Sequence, residues 1–231
     1  MMKLPPLLLC LASGLSILSA DEVKSPFNGK DLTGWKASGA HKWIVGQARQ
    51  SAAHPDQLET TPQGQELINV VSGHGQSLDL FTEEKYGDLH LEIELMVPKD
   101  SNSGVYLMGE YEVQVLDSYG KKDADMGAGD IGAIYSAAVP KVNASKAPGE
   151  WQKFVIDFRA PKFDSSGKKT TPAVFERVEL NGKVLHEKVE MKGPTPGGVT
   201  GQEHATGPLM LQGNHGAVAY RNVKITPLAA K

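Results

Sequence analysis

Residues 111–117 read YEVQVLD, and their apolar and polar side chains alternate. Successive side chains of an extended strand point to opposite faces of a sheet. The odd-numbered apolar residues therefore share one face, while Glu112 and Gln114 share the other. Because Val113 and Val115 favour a hydrophobic core, the stretch predicts a strand whose outer face carries a carboxylate beside an amide.

The segments around this stretch predict further strands. Residues 105–109 precede it by little more than Gly109-Glu110, which allows either a tight hairpin or one long bent strand with a bulge. Residues 89–97 are the clearest strand of the chain, because apolar residues occupy every odd position.

The rest of the chain reads as short strands joined by turns. Asn181-Gly182 fits a type I′ hairpin turn between strands at residues 174–180 and 183–186. Further strands are predicted at residues 43–45, 151–158, 209–212 and 217–226, whereas residues 46–76 are predicted as loops around one or two short strands. Roughly ten or more strands without helical periodicity predict an all-β fold, a single jelly-roll β-sandwich of two antiparallel sheets.

The N-terminal segment differs from the rest of the chain. Residues 1–20 combine a short basic start, an apolar run at 4–18 and small residues ending at Ala20, a pattern typical of a cleaved secretory signal peptide. The run is too short and too interrupted to span a membrane. A lipoprotein anchored at Cys10 is the less favoured alternative, because a leucine precedes it where a small residue is expected. We expect residues 21–231 to form one exported domain, periplasmic or extracellular.

Composition excludes several classes of function. Cys10 is the only cysteine, so a chain cleaved after Ala20 has no disulfide, no cysteine nucleophile and no zinc–thiolate site. The 24 basic and 27 acidic side chains give a net charge of −3, which disfavours nucleic acid and anionic membranes as partners.

Glu112, Gln114 and Asp117 are the first candidates for chemistry. One interpretation is the solvated outer face of an edge strand. The other is a ligand groove, because carboxylates and amides match the donors and acceptors of sugar hydroxyls. Two long loops, residues 118–131 and 192–208, are also expected to be functional, since long loops in compact domains usually are.

His215 and Arg221 lie in the C-terminal part of the chain. His215 sits in a turn at residues 213–216, where it is either bonded to the backbone or placed at a groove mouth to transfer protons. Arg221 alternates with Val223 and Ile225, so it is predicted to share their face. A buried arginine needs a carboxylate partner, which favours a structural ion pair over a substrate contact.

Asp123, Asp125 and Asp130 share one loop, which is only a weak indication of a calcium site. Their spacing does not match an EF-hand, because the third acid falls too far along and no bidentate glutamate follows. The histidines show no paired metal spacing, so no other metal or cofactor is expected.

Seven motifs follow one another in the order of a known family. They are Phe27–Trp35, Asn102–Tyr106, Tyr111–Asp117, Gly132–Tyr135, Gly149–Trp151, Leu180–Gly182 and Leu211–Asn222. In these motifs the chain resembles the 3-keto-disaccharide hydrolase domain, formerly a domain of unknown function, from about Phe27 to Leu228. The resemblance implies a concanavalin A-like, glucanase-like sandwich that acts on glycosides oxidised to a ketone at sugar carbon 3. Many members carry an arginine where this chain has Met108, so specificity is expected to differ if that arginine contacts substrate.

Such a substrate needs a base for the hydrogen on carbon 2, donors for the enolate oxygen and an acid for the leaving group. We expect Glu112 to be the base, with His215 or Asp117 as the proton donor. The residues expected to bind substrate are Asn102, Gln114, Tyr135, Gln212 and Arg221. A non-catalytic carbohydrate-binding module and a structural domain of exported proteins are the alternatives.

Overall fold

The structure, a computed structural model, describes residues 22–229. Within them lie fourteen strands and one 3₁₀ turn, Asp123–Asp125. The strands are β1 (Trp35–Ala37), β2 (Trp43–Gln50), β3 (Leu58–Asn69), β4 (Leu80–Tyr86), β5 (Leu89–Met96), β6 (Asn102–Leu107), β7 (Tyr111–Leu116), β8 (Gln152–Arg159), β9 (Lys162–Phe163), β10 (Lys169–Thr171), β11 (Val174–Leu180), β12 (Lys183–Glu190), β13 (Gly207–Leu211) and β14 (Val218–Pro227).

Two antiparallel sheets and a small ribbon contain all of these strands. The five-stranded sheet has the order β1-β4-β13-β6-β7, the seven-stranded sheet β12-β11-β8-β5-β14-β3-β2, and β9 pairs with β10. One buried core joins the two sheets, with Val113 and Leu211 contributed by the first and Leu91 and Phe154 by the second. Each such side chain contributes roughly 2 kcal/mol by leaving water. The architecture confirms the predicted all-β jelly-roll sandwich.

Two hairpins have the turns that their sequences favour. β11 and β12 are joined through Asn181 and Gly182, whose φ angles of 52° and 77° suit a type I′ turn. β6 and β7 are also paired antiparallel, with Met108 and Gly109 at φ 54° and 70° in the connection. The tight hairpin is therefore the correct alternative for residues 105–116, and the single bent strand is wrong.

The prediction of loops at residues 46–76 is wrong for most of that segment. β2 extends to Gln50 and pairs with the twelve-residue β3, with a register shift at Gly46 and Gln47. β2 is an edge strand, and residues 61–65 of β3 are exposed. Polar residues are tolerated on both faces there, so the segment lacks the alternation that reveals a half-buried strand.

Arg221 lies on the opposite face from the one predicted. Between Arg221 and Lys224, β14 has one residue more than its partner β5, and Asn222 adopts φ 52°. This β-bulge reverses the alternation, so Tyr220 and Val223 both point into the core while Arg221 points outward. A single inserted residue in a ladder leaves no clear mark in the hydrophobic pattern.

Two N-terminal predictions lie outside the described residues. These are the signal peptide at residues 1–20 and the alternative lipid anchor at Cys10. Among residues 22–229, no helix is long and apolar enough to cross a membrane.

Candidate active site

A cavity of about 200 Å³ lies on the face of the five-stranded sheet that points away from the core. Strands β6 and β7 and the chain after β13 supply most of its wall. Its lining residues are Asn102, Tyr106, Glu112, Gln114, Tyr135, Pro196, Gly197, Gln212 and His215. Six of the eight predicted site residues therefore meet in one place.

The register of the β6–β7 hairpin builds the floor of this cavity. Tyr106 stands directly across from Glu112, and Gly104 across from Gln114. Gln114 Nε2 donates to Asn102 Oδ1 at 3.1 Å, which orients both amides. Because Gly104 has no side chain, the Glu112 carboxylate can lie over the neighbouring strand.

Glu112 is buried, with 2% of its surface exposed, so the solvated outer face proposed as one alternative is wrong. Tyr106 Oη donates to Glu112 Oε2 at 2.8 Å, and Gln212 Nε2 donates to Tyr106 Oη at 3.3 Å. Burial raises the pKa of Glu112 to about 7, with a further contribution from the charge of Asp79, although the Tyr106 hydrogen bond opposes the rise. At neutral pH this carboxyl can both accept and donate a proton.

The raised pKa of Glu112 predicts how the stability of the protein depends on pH. Burial penalises the ionised form, so the cost is absent below the usual pKa of 4.5, grows as the pH rises towards 7 and is complete above it. Glu112→Gln removes an ionisable group that costs about 3 kcal/mol when charged. We expect the variant to gain about that much over wild type in the free energy of unfolding at pH 8 compared with pH 4, measured by chemical denaturation.

Glu187→Gln serves as the control for this experiment. Glu187 is a half-exposed carboxylate paired with Lys141 at 3.0 Å, and a surface pair contributes little to stability. The free energy of unfolding of Glu187→Gln, relative to wild type, should therefore be no higher at pH 8 than at pH 4. An equal gain at pH 4 and pH 8 in Glu112→Gln would mean that the folded protein does not hold this proton.

His215 is half-buried at the edge of the cavity. The Asn69 side chain, which belongs to the other sheet, donates to Gly213 O at 2.8 Å and Gly216 O at 2.9 Å and so holds both ends of the turn. Burial and the neighbouring His74, at 4.7 Å between ring centroids, lower the pKa of His215, although Asp79 opposes this. The imidazole is therefore mostly neutral at pH 7.

Tyr135 reaches the cavity because its segment runs along the free edge of β7. Gly132 N donates to Gln114 O at 2.8 Å, Gln114 N to Ala133 O at 2.9 Å, and Tyr135 N to Glu112 O at 3.1 Å. The motif at residues 132–135 thus extends the sheet by one short strand-like piece. The preceding loop, residues 118–131, contributes no lining residue.

Asp117 and Arg221 lie outside the cavity lining. The Asp117 carboxylate accepts hydrogen bonds from the backbone N–H of Asp100 at 3.0 Å and Tyr119 at 3.2 Å, so it organises the end of β7. Arg221 pairs with Glu94 at 2.7 Å and covers the Trp151 ring at 3.9 Å, on the outer face of the seven-stranded sheet. Asp117 and Arg221 therefore both have structural partners away from the cavity.

The three loop aspartates do not converge. Asp130 binds Lys121 at 2.5 Å and the backbone N–H of Gly127 at 2.6 Å, while Asp123 accepts from Asn143 N at 2.7 Å. Within residues 22–229 no group of three or more histidine, cysteine or acidic side chains is placed to hold a metal ion.

Sequence reasoning did not single out Tyr106, Pro196 and Gly197 as lining residues. Tyr106 could have been found, because a hairpin with a short turn places it opposite Glu112. Pro196 and Gly197 belong to the long loop at 192–206, and its position depends on contacts that no local pattern reveals. Met108 lines a separate cavity of about 480 Å³ and does not line the Glu112 cavity.

Crystal structures of three putative glycosyl hydrolases from Parabacteroides distasonis are similar to this structure. The first is 30% identical, covers 89% of this chain and 84% of its own, and has a TM-score of 0.68. The other two are 19% and 20% identical, cover 90% of this chain and 94% and 100% of their own, and both have a TM-score of 0.58. At their level of identity the likeness of these two shows the fold alone. No curated protein matches the chain.

Residues 22–226 match the family model of the 3-keto-disaccharide hydrolase domain, described as a 3-keto-alpha-glucoside-1,2-lyase-like domain. The match includes every residue that lines the Glu112 cavity. The chain therefore belongs to this family of 3-keto-alpha-glucoside-1,2-lyase-like domains.

Proposed function

We propose that this protein is a glycosidase-like enzyme that cleaves 3-keto-glycosides by elimination followed by hydration. The observation that carries the proposal is Glu112, a buried carboxyl whose pKa is raised to about 7 and which faces a cavity rich in amides. Ionisable groups poised near neutral pH in a polar cavity are typical of general acid–base sites. Membership of the family supports the choice of substrate.

The reaction follows from the acidity that a ketone at carbon 3 gives to the hydrogen on carbon 2. A base removes that proton, and the electrons of the C–H bond form an enolate with the negative charge on the ketone oxygen. The enolate then expels the oxygen substituent of carbon 1, which leaves with a proton, and a double bond forms between carbons 1 and 2. Water adds across that bond, with its hydroxyl on carbon 1, so the net change is hydrolysis.

We assign the base to Glu112, because it lies within the cavity and its burial makes the ionised form a stronger base than an exposed glutamate. The amides of Asn102, Gln114 and Gln212 can donate to the enolate oxygen and to sugar hydroxyls. Tyr135 contributes a ring and a hydroxyl on the same wall.

We assign the proton donor to His215 rather than Asp117, because only His215 lines the cavity. One observation favours the reverse pairing. The lowered pKa of His215 leaves it neutral at pH 7 and able to accept a proton, while Glu112 is partly protonated and able to donate one. A pH–rate profile has the same bell shape for both pairings, so hydrogen exchange must decide between them.

We also propose that the protein is exported. This part of the proposal depends on the apolar run at residues 4–18 and the small residues that follow it, which are typical of a signal peptide.

The proposal predicts a product assay with a clear contrast. The purified protein is incubated with a 3-keto-glucoside that bears a chromogenic leaving group, and separately with the unoxidised parent glucoside. We expect release from the keto compound alone, because the parent has no acidified hydrogen on carbon 2. Release from neither, together with saturable binding of a glycan, would replace the enzyme with a carbohydrate-binding module. Equal release from both would point to direct displacement at carbon 1.

A further inference from the structure

The loop at residues 195–201, here called the roof loop, covers the carboxylate end of the Glu112 cavity. Thr195 Oγ1 accepts a hydrogen bond from Glu112 N at 2.9 Å, and Pro196 O accepts one from Tyr106 Oη at 3.1 Å. Gly197 adopts φ 84°, and a Cβ added there would lie 2.7 Å from Tyr106 Oη. The roof loop therefore packs on Glu112 and Tyr106, the hydrogen-bonded pair at this end of the cavity.

Glu110 ties this loop to the turn of the β6–β7 hairpin. Glu110 is buried, with 2% of its surface exposed. Its carboxylate accepts three hydrogen bonds, from Thr200 N at 2.8 Å, Thr200 Oγ1 at 2.7 Å and Gly201 N at 3.0 Å. Its main-chain oxygen accepts from Thr195 N at 2.9 Å. A Cβ on Gly198 would collide with Glu110 Oε2, so the loop closes tightly around this carboxylate.

The charge of Glu110 is balanced by loop donors rather than by a cation. The ion pairs among residues 22–229 do not include it. Hydrogen bonds to a carboxylate are about twice as strong as neutral ones, and a buried carboxylate that loses them is costly. Moving the loop away from the hairpin turn would break these three hydrogen bonds to Glu110, so the observed position of the loop is the stable one.

We propose that Glu110 is a positioning residue that holds the roof loop over the cavity and keeps water away from Glu112. The inference concerns the same cavity as the proposed function but does not depend on the reaction. Glu110 acts through the loop, since it does not line the Glu112 cavity.

The experiment follows the titration of Glu112 by carbon-13 NMR in wild type and in Glu110→Gln, without any substrate. Tyr106, Asp79 and Tyr220, the titratable groups that interact with Glu112, are unchanged in this variant. If the roof loop loosens, water reaches the carboxyl and its pKa should fall from about 7 by roughly 1 unit or more. A folded Glu110→Gln in which Glu112 titrates as in wild type would overturn the proposal.

Two further variants keep the test sharp. Thr200→Val removes only one donor to Glu110 and should shift the pKa of Glu112 in the same direction but less. Asp88→Asn is the matched control, because Asp88 is a carboxylate that binds Ala160 N at 2.9 Å and Arg159 at 3.1 Å away from the cavity. It should lower the melting temperature and leave the Glu112 titration unchanged. An equal shift in the control would show that general loosening, and not the roof loop, sets this pKa. Because no substrate is used, failure here is distinct from failure of the product assay.

Discussion

Replacing Glu112 by glutamine should lower kcat/KM for a 3-keto-glucoside about 10³-fold, which is within the range of a general acid–base group. Glutamine keeps the shape of the side chain and still accepts the Tyr106 hydrogen bond, but it cannot take a proton from carbon 2. The loss should fall on kcat, because the amides that bind the sugar are untouched.

Exchange of the hydrogen on carbon 2 with deuterated water separates the two steps of the reaction. With Glu112 as the base, Glu112→Gln loses both exchange and release of the leaving group, whereas His215→Asn keeps exchange and loses release. The opposite result would assign the base to His215. Glu187→Gln, with its half-exposed carboxylate, should match wild type in both measurements. A folded Glu112→Gln with full activity would remove Glu112 from the mechanism.

Replacing Gly104 by alanine should lower kcat/KM about 10²-fold, the cost that a displacement of about 1 Å can impose on a catalytic group. A Cβ at this position would collide with Glu112 Oε1 and lie 2.9 Å from Tyr106 Cε2. The colliding carboxylate is the end of a flexible side chain, so it can move aside and the sheet can still form. The Gly104→Ala variant should therefore fold, with the Glu112 carboxyl displaced. Circular dichroism can verify that it folds.

A double-variant experiment tests whether this effect runs through Glu112. If it does, adding Gly104→Ala to Glu112→Gln should cost little more, because the group that it displaces is already inactive. Full additivity would mean that Gly104 acts elsewhere, for instance by blocking substrate. Gly73→Ala is the matched control, since a Cβ there meets no atom closer than 3.6 Å, and it should leave activity unchanged.

The strands near the site were predictable because their signals are local. Alternation at residues 89–97 and 111–117 indicated β5 and β7, and Asn181-Gly182 indicated the β11–β12 hairpin. Alternation also placed Glu112 and Gln114 on one face, where the structure has them. The prediction of loops at residues 46–76 failed, because residues 61–65 of β3 are exposed and a register shift at Gly46 and Gln47 interrupts the alternation.

Along an unbroken strand the sequence by itself determined which side chains share a face, since that depends only on the period of the strand. The β-bulge that turns Arg221 outward was decided by the tertiary structure. Whether the face of Glu112 meets water was decided by the tertiary structure. Thr195, 83 residues further along the chain, binds the Glu112 backbone, and the loop that carries it helps to cover the site. Asn69, from the other sheet, similarly holds the turn of His215. The pKa of a carboxyl depends on its removal from water, and here segments far away in the sequence contribute to that removal.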